Sequence, residues 1–290
     1  MGEHTGTPSA AANAPVIRVI DLVKRFSDRA VLDGVNLDIR RGETMVIMGG
    51  SGCGKSTLLR HMIGSMQPNE GHIELFGKNL SLLEEAELDT VRKRFGILFQ
   101  SGALFNSMTV GDNVALPLRE HTDLDADTIS IMVRIKLEQV GLREAMDLMP
   151  AEISGGMKKR AGLARAIALD PEILFYDEPS AGLDPVTSAE IDQLILDLTR
   201  KLGVTSVVVT HEMDSAFRIA DRMAMLDRGR VLKIGTLADF LELRDSDSAS
   251  DETAALIRQF LRGDPEGPLS QRRLAGGYEE DLLGIVGEGI

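Results

Sequence analysis

One short segment constrains the fold of this chain more than any other feature. Residues Gly49–Ser56, GGSGCGKS, match the pattern G-x-x-x-x-G-K-[ST] in full. They follow the apolar run Thr44–Met48 and open a stretch of helix-forming residues, which is the strand–loop–helix context that the pattern requires. The backbone N–H groups of such a loop surround phosphate oxygens, and the helix N-terminus adds positive potential. We therefore predict a phosphate-binding loop, in which Lys55 reaches the β and γ phosphates and the Ser56 hydroxyl binds Mg²⁺.

A second candidate site lies at the end of another apolar strand. The run Ile173–Tyr176 leads directly into Asp177 and Glu178. Two carboxylates at the end of a buried strand are costly unless they serve a cation or a reaction. We expect Asp177 to hold Mg²⁺, directly or through water, and Glu178 to accept the proton of an attacking water.

The order of strands and helices indicates an α/β fold. Short β-branched runs over Val16–Ile39 predict antiparallel strands, whereas buried strands alternate with helices from Ile173 onward, as in a parallel sheet. From about Ser101 to Ser154 the strand signal disappears and helical periodicity replaces it. This region is therefore predicted to be a helical insertion into the α/β domain.

Composition excludes several classes of protein. No apolar stretch approaches the roughly 18 residues that a membrane span needs, which excludes a channel or permease. The single cysteine, Cys53, excludes a disulfide scaffold. With 45 acidic and 32 basic side chains the formal charge is −13, so we expect no nucleic-acid partner. Residues 1–15 match neither a signal peptide nor a myristoylation pattern, and we interpret them as the disordered leader of a cytosolic protein.

Four further motifs occur in a fixed order along the chain. Gln100 closes an apolar strand, and the sequence ISGGM at 153–157 precedes a basic, alanine-rich helix. AGLDP at 181–185 follows the acidic pair, and His211 closes the strand VVVTH. Together with the phosphate-binding loop, these motifs resemble the ATP-binding-cassette (ABC) ATPases, and the resemblance covers roughly Val16 to Leu243.

The resemblance implies a fold and an activity. The fold is α/β, a P-loop NTPase of ABC type, with a mostly parallel sheet core, an antiparallel β subdomain and a helical subdomain. The ATPase domain would span 16–243, with the helical subdomain inserted at about 101–165, and 244–290 would form a linker and C-terminal extension. The implied activity is hydrolysis of ATP to ADP and phosphate, with ATP and Mg²⁺ as cofactors, and each ATP is held between the two subunits of a homodimer.

The resemblance also assigns roles to the residues of the active site. Glu178 is the general base, Lys55 contacts the phosphates, and His211 holds the γ-phosphate and positions Glu178. Gln100 contacts Mg²⁺ and the attacking water, and it reports the nucleotide state to the helical subdomain. The predicted Mg²⁺ ligands are Ser56, Gln100 and Asp177.

The nucleotide contacts come from both subunits of the implied dimer. Ser154 and the amides of Gly155 and Gly156 contact the γ-phosphate that the partner chain binds, and Asp184 bridges the two sites. The complete set of predicted nucleotide contacts is Phe26, Gly49, Gly50, Ser51, Gly52, Cys53, Gly54, Lys55, Ser56, Thr57, Ser154, Gly155, Gly156 and Asp184.

At three positions of the predicted site, the residue type leads to a specific prediction. Met157 stands where the family signature usually has Gln, and since Met donates no hydrogen bond, a contact by the Gln amide is lost. Phe26 stands where the adenine platform is usually Tyr, and we expect little loss because stacking needs only a π face. Cys53 lies near a helix N-terminus and Lys55, which predicts a reactive thiolate whose modification by maleimide blocks ATP binding.

Three segments narrow the resemblance to one branch of the family. The SGGM signature, residues Phe99–His121 and the tail GDPEGPL are together similar to the ATPases of Mla-type phospholipid transporters, which act with MCE-domain proteins in Gram-negative bacteria. The resemblance implies an inner-membrane permease, a periplasmic MCE-domain protein and a small STAS-domain subunit as partners. The ATPase would lie on the cytoplasmic face of the inner membrane, held there by the permease, whose coupling helix would dock near 99–121.

Other functions are weighed against this one. An ABC ATPase that acts on ribosomes or DNA usually has two cassettes or a long coiled coil, whereas this chain has one cassette and no heptads. A regulatory nucleotide-binding module without turnover is disfavoured because Glu178 and His211 are both present. An ABC transporter for another substrate, such as an amino acid, an ion or a hydrophobic solvent, stays open, as does the direction of transport, because the ATPase does not touch the cargo.

The C-terminal extension carries its own prediction. After Leu243 the sequence becomes acidic and serine-rich, which is typical of a linker. Thr253–Leu261 has the spacing of a short amphipathic helix, and a second apolar cluster includes Tyr278 and Leu282. Such clusters indicate docking onto another surface, which the resemblance places on the neighbouring ATPase. Removal of the residues after Gly263 is expected to weaken assembly and to leave ATP affinity intact.

Overall fold

Strands in two sheets and a set of helices make up the described part of the chain. A computed structural model describes residues 15–27, 29–246 and 251–270. The strands in these ranges are β1 (Pro15–Phe26), β2 (Arg29–Arg40), β3 (Thr44–Gly49), β4 (Glu70–Leu75), β5 (Lys78–Asn79), β6 (Phe95–Leu98), β7 (Ile173–Asp177), β8 (Thr205–Thr210), β9 (Arg222–Asp227) and β10 (Arg230–Thr236). The α-helices in these ranges are α1 (Lys55–Met62), α2 (Glu85–Arg92), α3 (Val110–His121), α4 (Ala126–Gln139), α5 (Gly155–Ala166), α6 (Pro185–Leu202), α7 (Met213–Ile219), α8 (Leu237–Asp245) and α9 (Glu252–Arg262).

The first sheet has four strands in the order β2-β1-β4-β5. Strand β1 pairs antiparallel with both of its neighbours, so that Ile17 lies opposite Ile39 on one side and Leu75 on the other. All three side chains are buried. The antiparallel strands predicted for Val16–Ile39 are therefore confirmed.

The second sheet has six strands in the order β10-β9-β3-β8-β7-β6. Its middle strands are parallel, and Val208 of β8, for example, lies between Val46 of β3 and Tyr176 of β7. Every residue of β3 and β8 is buried, as expected for parallel strands that are covered on both faces. The α/β fold with a mostly parallel sheet is thus confirmed.

The main hydrophobic core joins the two sheets and fixes the helix that follows the phosphate-binding loop. It contains Leu22 and Ile39 from the first sheet, Met45 and Phe175 from the second, and Leu58 from α1. All five side chains are fully buried. Because Leu58 and its helical neighbours are anchored in this core, the N-terminus of α1 has a defined position at the end of β3.

Helices replace strands between β6 and β7, as predicted. Every residue from 99 to 172 is described, and none of them lies in a strand. The helices begin at side-chain caps: Thr109, Asp125 and Ser154 each accept a hydrogen bond from a backbone N–H of the first turn of α3, α4 and α5. The limits of the helical subdomain, about 101–165, remain a prediction.

The chain divides into two units, one ending at Ile234 and the other starting at Gly235. The second unit contains α8 and α9, which pack against each other. Helix α9 confirms the predicted amphipathic segment, and its buried face includes Leu256, Ile257 and Leu261. Helix α8 continues into the stretch that the sequence assigned to the linker, while the apolar cluster around Tyr278 lies outside the described residues. The predicted domain limits, 16–243 and 244–290, remain a prediction.

None of the helices that the structure describes is both long and apolar enough to cross a membrane.

Candidate active site

The predicted catalytic residues follow four neighbouring parallel strands. The phosphate-binding loop follows β3, and His211 follows β8. Asp177 is the last residue of β7 and Glu178 follows it, while Gln100 follows β6. In a parallel sheet the carboxyl ends of adjacent strands share one edge, about 5 Å apart. Ligands of open α/β sheets bind outside this edge. The fold therefore brings the predicted catalytic residues to one edge of the sheet, which we call the carboxyl edge.

The phosphate-binding loop depends on glycine at two positions. Gly49 has φ 152°, and a Cβ on it would lie 2.2 Å from the carbonyl oxygen of Leu226. Gly54 has φ 111° and precedes the first residue of α1, where a Cβ would lie 2.8 Å from the carbonyl oxygen of Val31. A side chain at either position would force the loop away from β9 or β2. The loop can thus hold its N–H groups close to a phosphate only with these glycines.

Lys55 is buried at the start of α1 and is held by the loop itself. Its Nζ donates hydrogen bonds to the carbonyl oxygens of Gly49, at 2.7 Å, and Gly50, at 3.2 Å. The neighbouring Ser56 is exposed on the first turn of the helix. A positive charge, a helix N-terminus and an exposed hydroxyl are therefore combined within a few residues, which suits an anionic phosphate chain with its cation.

The environment of Cys53 corrects one prediction made from the sequence. The side chain is buried and forms part of the hydrophobic core. Burial raises the pKa of the Cys53 thiol above its usual value, and this effect outweighs the charge of Lys55, which lowers it. The expectation of a reactive thiolate is therefore wrong, because desolvation disfavours the charged form of a thiol more than one nearby cation favours it.

Glu178 and His211 form a pair across the ends of β7 and β8. The Nδ1 atom of His211 lies 2.9 Å from one carboxylate oxygen of Glu178, and the backbone N–H of His211 donates to the other at 3.3 Å. The Glu178 side chain is only 12 % exposed, whereas the His211 side chain is 55 % exposed. The imidazole thus orients the carboxylate while its far side faces solvent, which is the arrangement of a base with an orienting partner.

Asp177 directly precedes Glu178, and its negative charge is disfavoured in this position. Burial raises the pKa of its carboxyl, and the neighbouring charge of Glu178 raises it further. The charges of Arg60, Lys159 and Lys55 act in the opposite direction and lower the pKa of Asp177. A divalent cation at this position would relieve the repulsion between the two carboxylates.

The oxygen donors of the carboxyl edge fit Mg²⁺ shared with a phosphate better than a resident metal. Asp177 supplies a carboxylate, Ser56 a hydroxyl and Gln100 a side-chain carbonyl, and all three are hard ligands of the type that Mg²⁺ prefers. Over the residues that the structure describes, no group of three or more His, Cys, Asp or Glu side chains is arranged to hold a metal. Mg²⁺ usually has few protein ligands and completes its shell with phosphate oxygens and water.

Other predicted nucleotide contacts lie outside the phosphate-binding loop, on β1 and at the starts of α5 and α6. Phe26 is exposed at the end of β1, in the four-stranded sheet. Ser154 caps α5, and Asp184 caps α6 by accepting hydrogen bonds from the N–H groups of Val186 and Thr187. Ser154 and the adjacent Gly155 are exposed, so they are available to a second molecule.

The sequence analysis missed Lys159, which contacts the acidic pair from α5. Its Nζ donates a hydrogen bond to the carbonyl oxygen of Glu178 at 2.9 Å. The sequence shows only a basic, alanine-rich helix, in which Lys158, Lys159 and Arg160 are adjacent. The one available signal is helical spacing, because Gly156, Lys159 and Leu163 share the buried face of α5.

A buried ionic network behind the catalytic pair was also missed. Asp192 of α6 is fully buried and forms an ion pair with Arg218 of α7. The same carboxylate accepts a hydrogen bond from Ser215, whose hydroxyl in turn contacts that of Ser180. Because Ser180 follows Glu178 by two residues and α7 follows His211, this network holds together the two segments that carry the pair.

Comparison with protein families and with individual relatives places these features in context. The sequence model of the ABC transporter family matches residues 32–181. The intermembrane phospholipid transport system ATP-binding protein MlaF of Escherichia coli K12 is 45 % identical over 270 residues, which is 93 % of this chain and 97 % of that protein. The "Probable ribonucleotide transport ATP-binding protein mkl" of Mycobacterium tuberculosis H37Rv is 43 % identical over 253 residues, or 87 % of this chain and 68 % of that protein.

A similar architecture occurs in a solved structure. The dimeric ATP-binding cassette MJ0796, in a post-hydrolysis state bound to ADP and Pi, matches with a TM-score of 0.70 and 30 % identity. The match covers 76 % of this chain and 98 % of that chain. The likeness therefore extends over most of the first unit.

Proposed function

Because the chain belongs to the ABC transporter family, we propose that it is the ATP-hydrolysing subunit of a phospholipid transporter. One observation carries the proposal: the phosphate-binding loop at the end of β3 shares the carboxyl edge with the Glu178–His211 pair. A binding module that does not hydrolyse ATP has no need of a buried carboxylate oriented by a histidine. The similarity to the MlaF proteins supports phospholipid as the transported substrate.

Each residue at the carboxyl edge has a distinct task in this proposal. The loop amides and Lys55 bind the β and γ phosphates of ATP and stabilise the charge that develops during transfer. Glu178 holds the attacking water and accepts its proton. His211 keeps the Glu178 carboxylate in place through Nδ1, and in this proposal its exposed ring contacts the γ-phosphate. Gln100, which follows β6, contacts the same water in this proposal.

Ser56, Asp177 and Gln100 are the residues that would hold Mg²⁺. When bound, Mg²⁺ supplies positive charge to the phosphate oxygens. The residues themselves contribute the hard oxygen ligands and the position at the carboxyl edge. Asp177 also keeps the cation close to the β7 end, beside the proposed base.

A homodimer would complete each nucleotide site. Ser154 and Gly155 are exposed at the N-terminus of α5, where free N–H groups and the helix dipole favour an anion. In the proposed dimer they contact the γ-phosphate held by the partner chain, and Asp184 lies where the two sites meet. The dimeric state of the similar cassette MJ0796 supports this arrangement.

An apolar groove is the proposed docking site for the membrane permease. The groove has a volume of about 870 Å³ and is lined by residues from α2, β6, α3 and α5 and the segments next to them. Two exposed aromatic residues of the groove lie on either side of Gln100 in the chain: Phe99 directly precedes it and Phe105 follows it by five residues. Exposed apolar surface of this kind usually marks an interaction site. A permease segment seated here would sense any movement of Gln100.

A second apolar surface is available for a smaller partner. Ile131 and Ile135 lie one turn apart on α4, and both are more than half exposed. We assign this surface to the proposed STAS-domain subunit, because the groove is taken by the permease in our proposal. The permease would in turn connect the ATPase to an MCE-domain protein across the inner membrane and would hold the ATPase on the cytoplasmic face.

A transporter for another substrate is the second candidate function. The relative mkl, at 43 % identity, is named for ribonucleotide transport, although its similarity nearly equals that of the MlaF proteins. The site at the carboxyl edge would be the same in both cases, because ATP hydrolysis does not involve the transported molecule. The MlaF proteins match over nearly their full length, which favours phospholipid.

Copurification tests the proposal as a whole. The full chain is tagged and expressed in its native host. It is then purified from detergent-solubilised membranes and assayed for Mg²⁺-dependent ATP hydrolysis. We expect a membrane permease in the recovered complex, together with turnover that Glu178→Gln abolishes. Recovery with ribosomes or nucleic acid and without a membrane protein would contradict the proposal.

A further inference from the structure

Lys159 connects helix α5 to the residue that we assign as the general base. Its Nζ lies 2.9 Å from the carbonyl oxygen of Glu178, which is 19 residues further along the chain. The Lys159 residue is only 5 % exposed. Its ammonium contacts the backbone of Glu178 rather than the carboxylate, so the usual role of a lysine as an ion-pair partner does not describe it.

A lysine is an expensive choice for this position if packing is its only task. Moving an ammonium out of water costs free energy that a neutral side chain of similar length avoids. Burial accordingly lowers the pKa of Lys159, while the charges of Glu178, Glu212 and Asp177 raise it. The neighbouring carboxylates therefore offset part of the cost of a buried charge that packing alone does not require.

The ammonium of Lys159 contacts a residue with an unusual backbone conformation. Glu178 has φ 50°, in the left-handed region that residues other than glycine rarely adopt. Such a conformation persists only where the surrounding structure fixes it. Here the Glu178 N–H donates to the Val209 carbonyl at 2.9 Å, and the Glu178 carbonyl accepts from Lys159 Nζ and from the N–H of Ala181 at 3.3 Å.

The left-handed turn decides where the carboxylate lies. It ends the extended course of β7 immediately after Asp177, and the side chain of Glu178 then meets both the N–H and the imidazole of His211 at the end of β8. A relaxed extended backbone would continue the alternation of the strand and direct this side chain differently. The contact between Glu178 and His211 thus depends on the backbone that Lys159 holds.

We propose that Lys159 is a positioning residue for ATP hydrolysis, which holds the Glu178 carbonyl and so fixes the turn that places the carboxylate against His211. The inference rests on the proposed role of Glu178 as general base. The hydrogen bond of Lys159 goes to the carbonyl oxygen of Glu178 and not to the carboxylate that accepts the proton. Its loss should therefore affect the chemical step and not the binding of ATP.

The test compares three variants of the full chain. Lys159→Met keeps the apolar stem and removes the donor, Lys159→Gln keeps a neutral donor, and Lys158→Met makes the same charge change on the adjacent, half-buried residue of α5. We expect Lys159→Met to lower kcat about 10- to 100-fold, since small misplacements of a catalytic group have effects of this size. KM for ATP should change by less than about twofold, Lys159→Gln should retain part of the activity, and Lys158→Met should match the wild type.

Two further measurements separate positioning from a general structural role. In a Glu178→Gln background, Lys159→Met should not lower the residual turnover again, because the base that it positions is already absent. A full additional loss in this background overturns the inference, as does a parallel fall in ATP affinity and in melting temperature. If Lys159→Met does not fold, a folded Lys159→Ala, which also lacks the donor, takes its place, and wild-type kcat in Lys159→Ala overturns the inference.

Parallel assays of the wild type and Glu178→Gln distinguish a failure of the proposed function from a failure of the proposed role of Lys159. A wild type that does not hydrolyse ATP contradicts the proposed function. An active wild type and an inactive Glu178→Gln, combined with a fully active Lys159→Met, contradict only the role of Lys159.

Discussion

Glu178 and His211 are joined twice, once through the imidazole at 2.9 Å and once through the backbone N–H of the histidine at 3.3 Å. The two contacts engage both oxygens of one carboxylate, which leaves that group little freedom to rotate. The pair bridges the ends of β7 and β8, and the phosphate-binding loop follows β3 on the far side of β8. Orientation of the base is therefore a property of the sheet and not of a mobile loop.

Replacing Glu178 by Gln should separate ATP binding from hydrolysis. The amide keeps the shape and the contact to the His211 N–H but accepts no proton, so we expect kcat to fall by about 10²- to 10⁴-fold. ATP should stay bound and accumulate in a dimer, which size-exclusion chromatography with labelled ATP measures. The exposed Glu144 gives a matched control, and Glu144→Gln should behave like the wild type. Normal turnover by Glu178→Gln would exclude its role as the base.

Replacing Lys55 by Ala should have a different effect. The ammonium lies inside the phosphate-binding loop, so its removal should weaken ATP binding by about 10- to 100-fold, the range of a hydrogen bond to a charged group. Equilibrium binding of a fluorescent ATP analogue measures this loss. Lys78→Ala changes an exposed lysine on β5 and should leave affinity unchanged. Equal affinity of Lys55→Ala and the wild type contradicts the assignment of the loop.

The Cys53 thiol should react slowly with maleimide or with an aromatic disulfide reagent. Because burial raises the pKa of this thiol, the thiolate fraction at a given pH is lower than in an exposed cysteine, whose pKa is about 8.5. The rate should therefore rise with pH beyond the point where an ordinary thiol reaches its plateau. The guanidinium-unfolded chain, with the same single cysteine, should react faster at every pH below that plateau. A plateau below about pH 8 in the folded protein contradicts this prediction.

Replacing Asp192 by Asn should destabilise the first unit. The carboxylate is fully buried and accepts hydrogen bonds from Ser215 and from Arg218, whose side chain is 45 % exposed. The amide loses the charge that both donors contact, so we expect the free energy of unfolding to fall by about 2 kcal/mol, the range of hydrogen bonds to a charged group. Denaturant unfolding followed by circular dichroism measures the change. Asp197→Asn, at an exposed pair with Lys201 on the same helix, should have no measurable effect, and equal stabilities of the two variants refute the prediction.

Replacing Phe105 by Ala should weaken assembly with the permease and spare nucleotide binding. The ring is 51 % exposed at the groove, and aromatic residues at the centre of an interface often contribute most of its binding energy. We expect roughly tenfold less permease to be recovered with the tagged chain. Leu82→Ala removes an even more exposed apolar side chain outside the groove and should not change recovery. Undiminished recovery with Phe105→Ala places the permease elsewhere.

Much of the carboxyl edge could be predicted from the sequence, because each part of it is local. The loop pattern defines its own strand and helix, and Asp177, Glu178 and His211 each follow a short apolar run whose end is visible in the sequence. Once the strands are parallel neighbours, their ends meet by geometry alone. The order of these motifs along the chain then indicated the family and the roles of the individual residues.

The features that were missed or mistaken depend on tertiary packing. Lys159 is one of three adjacent basic residues, and only the packing of α5 decides which of them is buried. The thiol of Cys53 has favourable neighbours in sequence, yet its pKa is raised because the residue lies in the core formed with β3 and β9. The exposure of Ile131 and Ile135 also depends on packing, because the buried face of α4 is formed by other apolar residues of the same helix, among them Val133 and Leu137.

The most direct test of the central claim is lipid transfer by the complete complex in liposomes. The wild-type assembly and the Glu178→Gln assembly are reconstituted at equal protein content, and a fluorescent phospholipid is followed after addition of ATP and Mg²⁺. We predict transfer that requires ATP in the wild type and is lost in the variant, although both bind ATP. Equal transfer by the two assemblies, or the transport of a different substrate with no movement of phospholipid, would contradict the account.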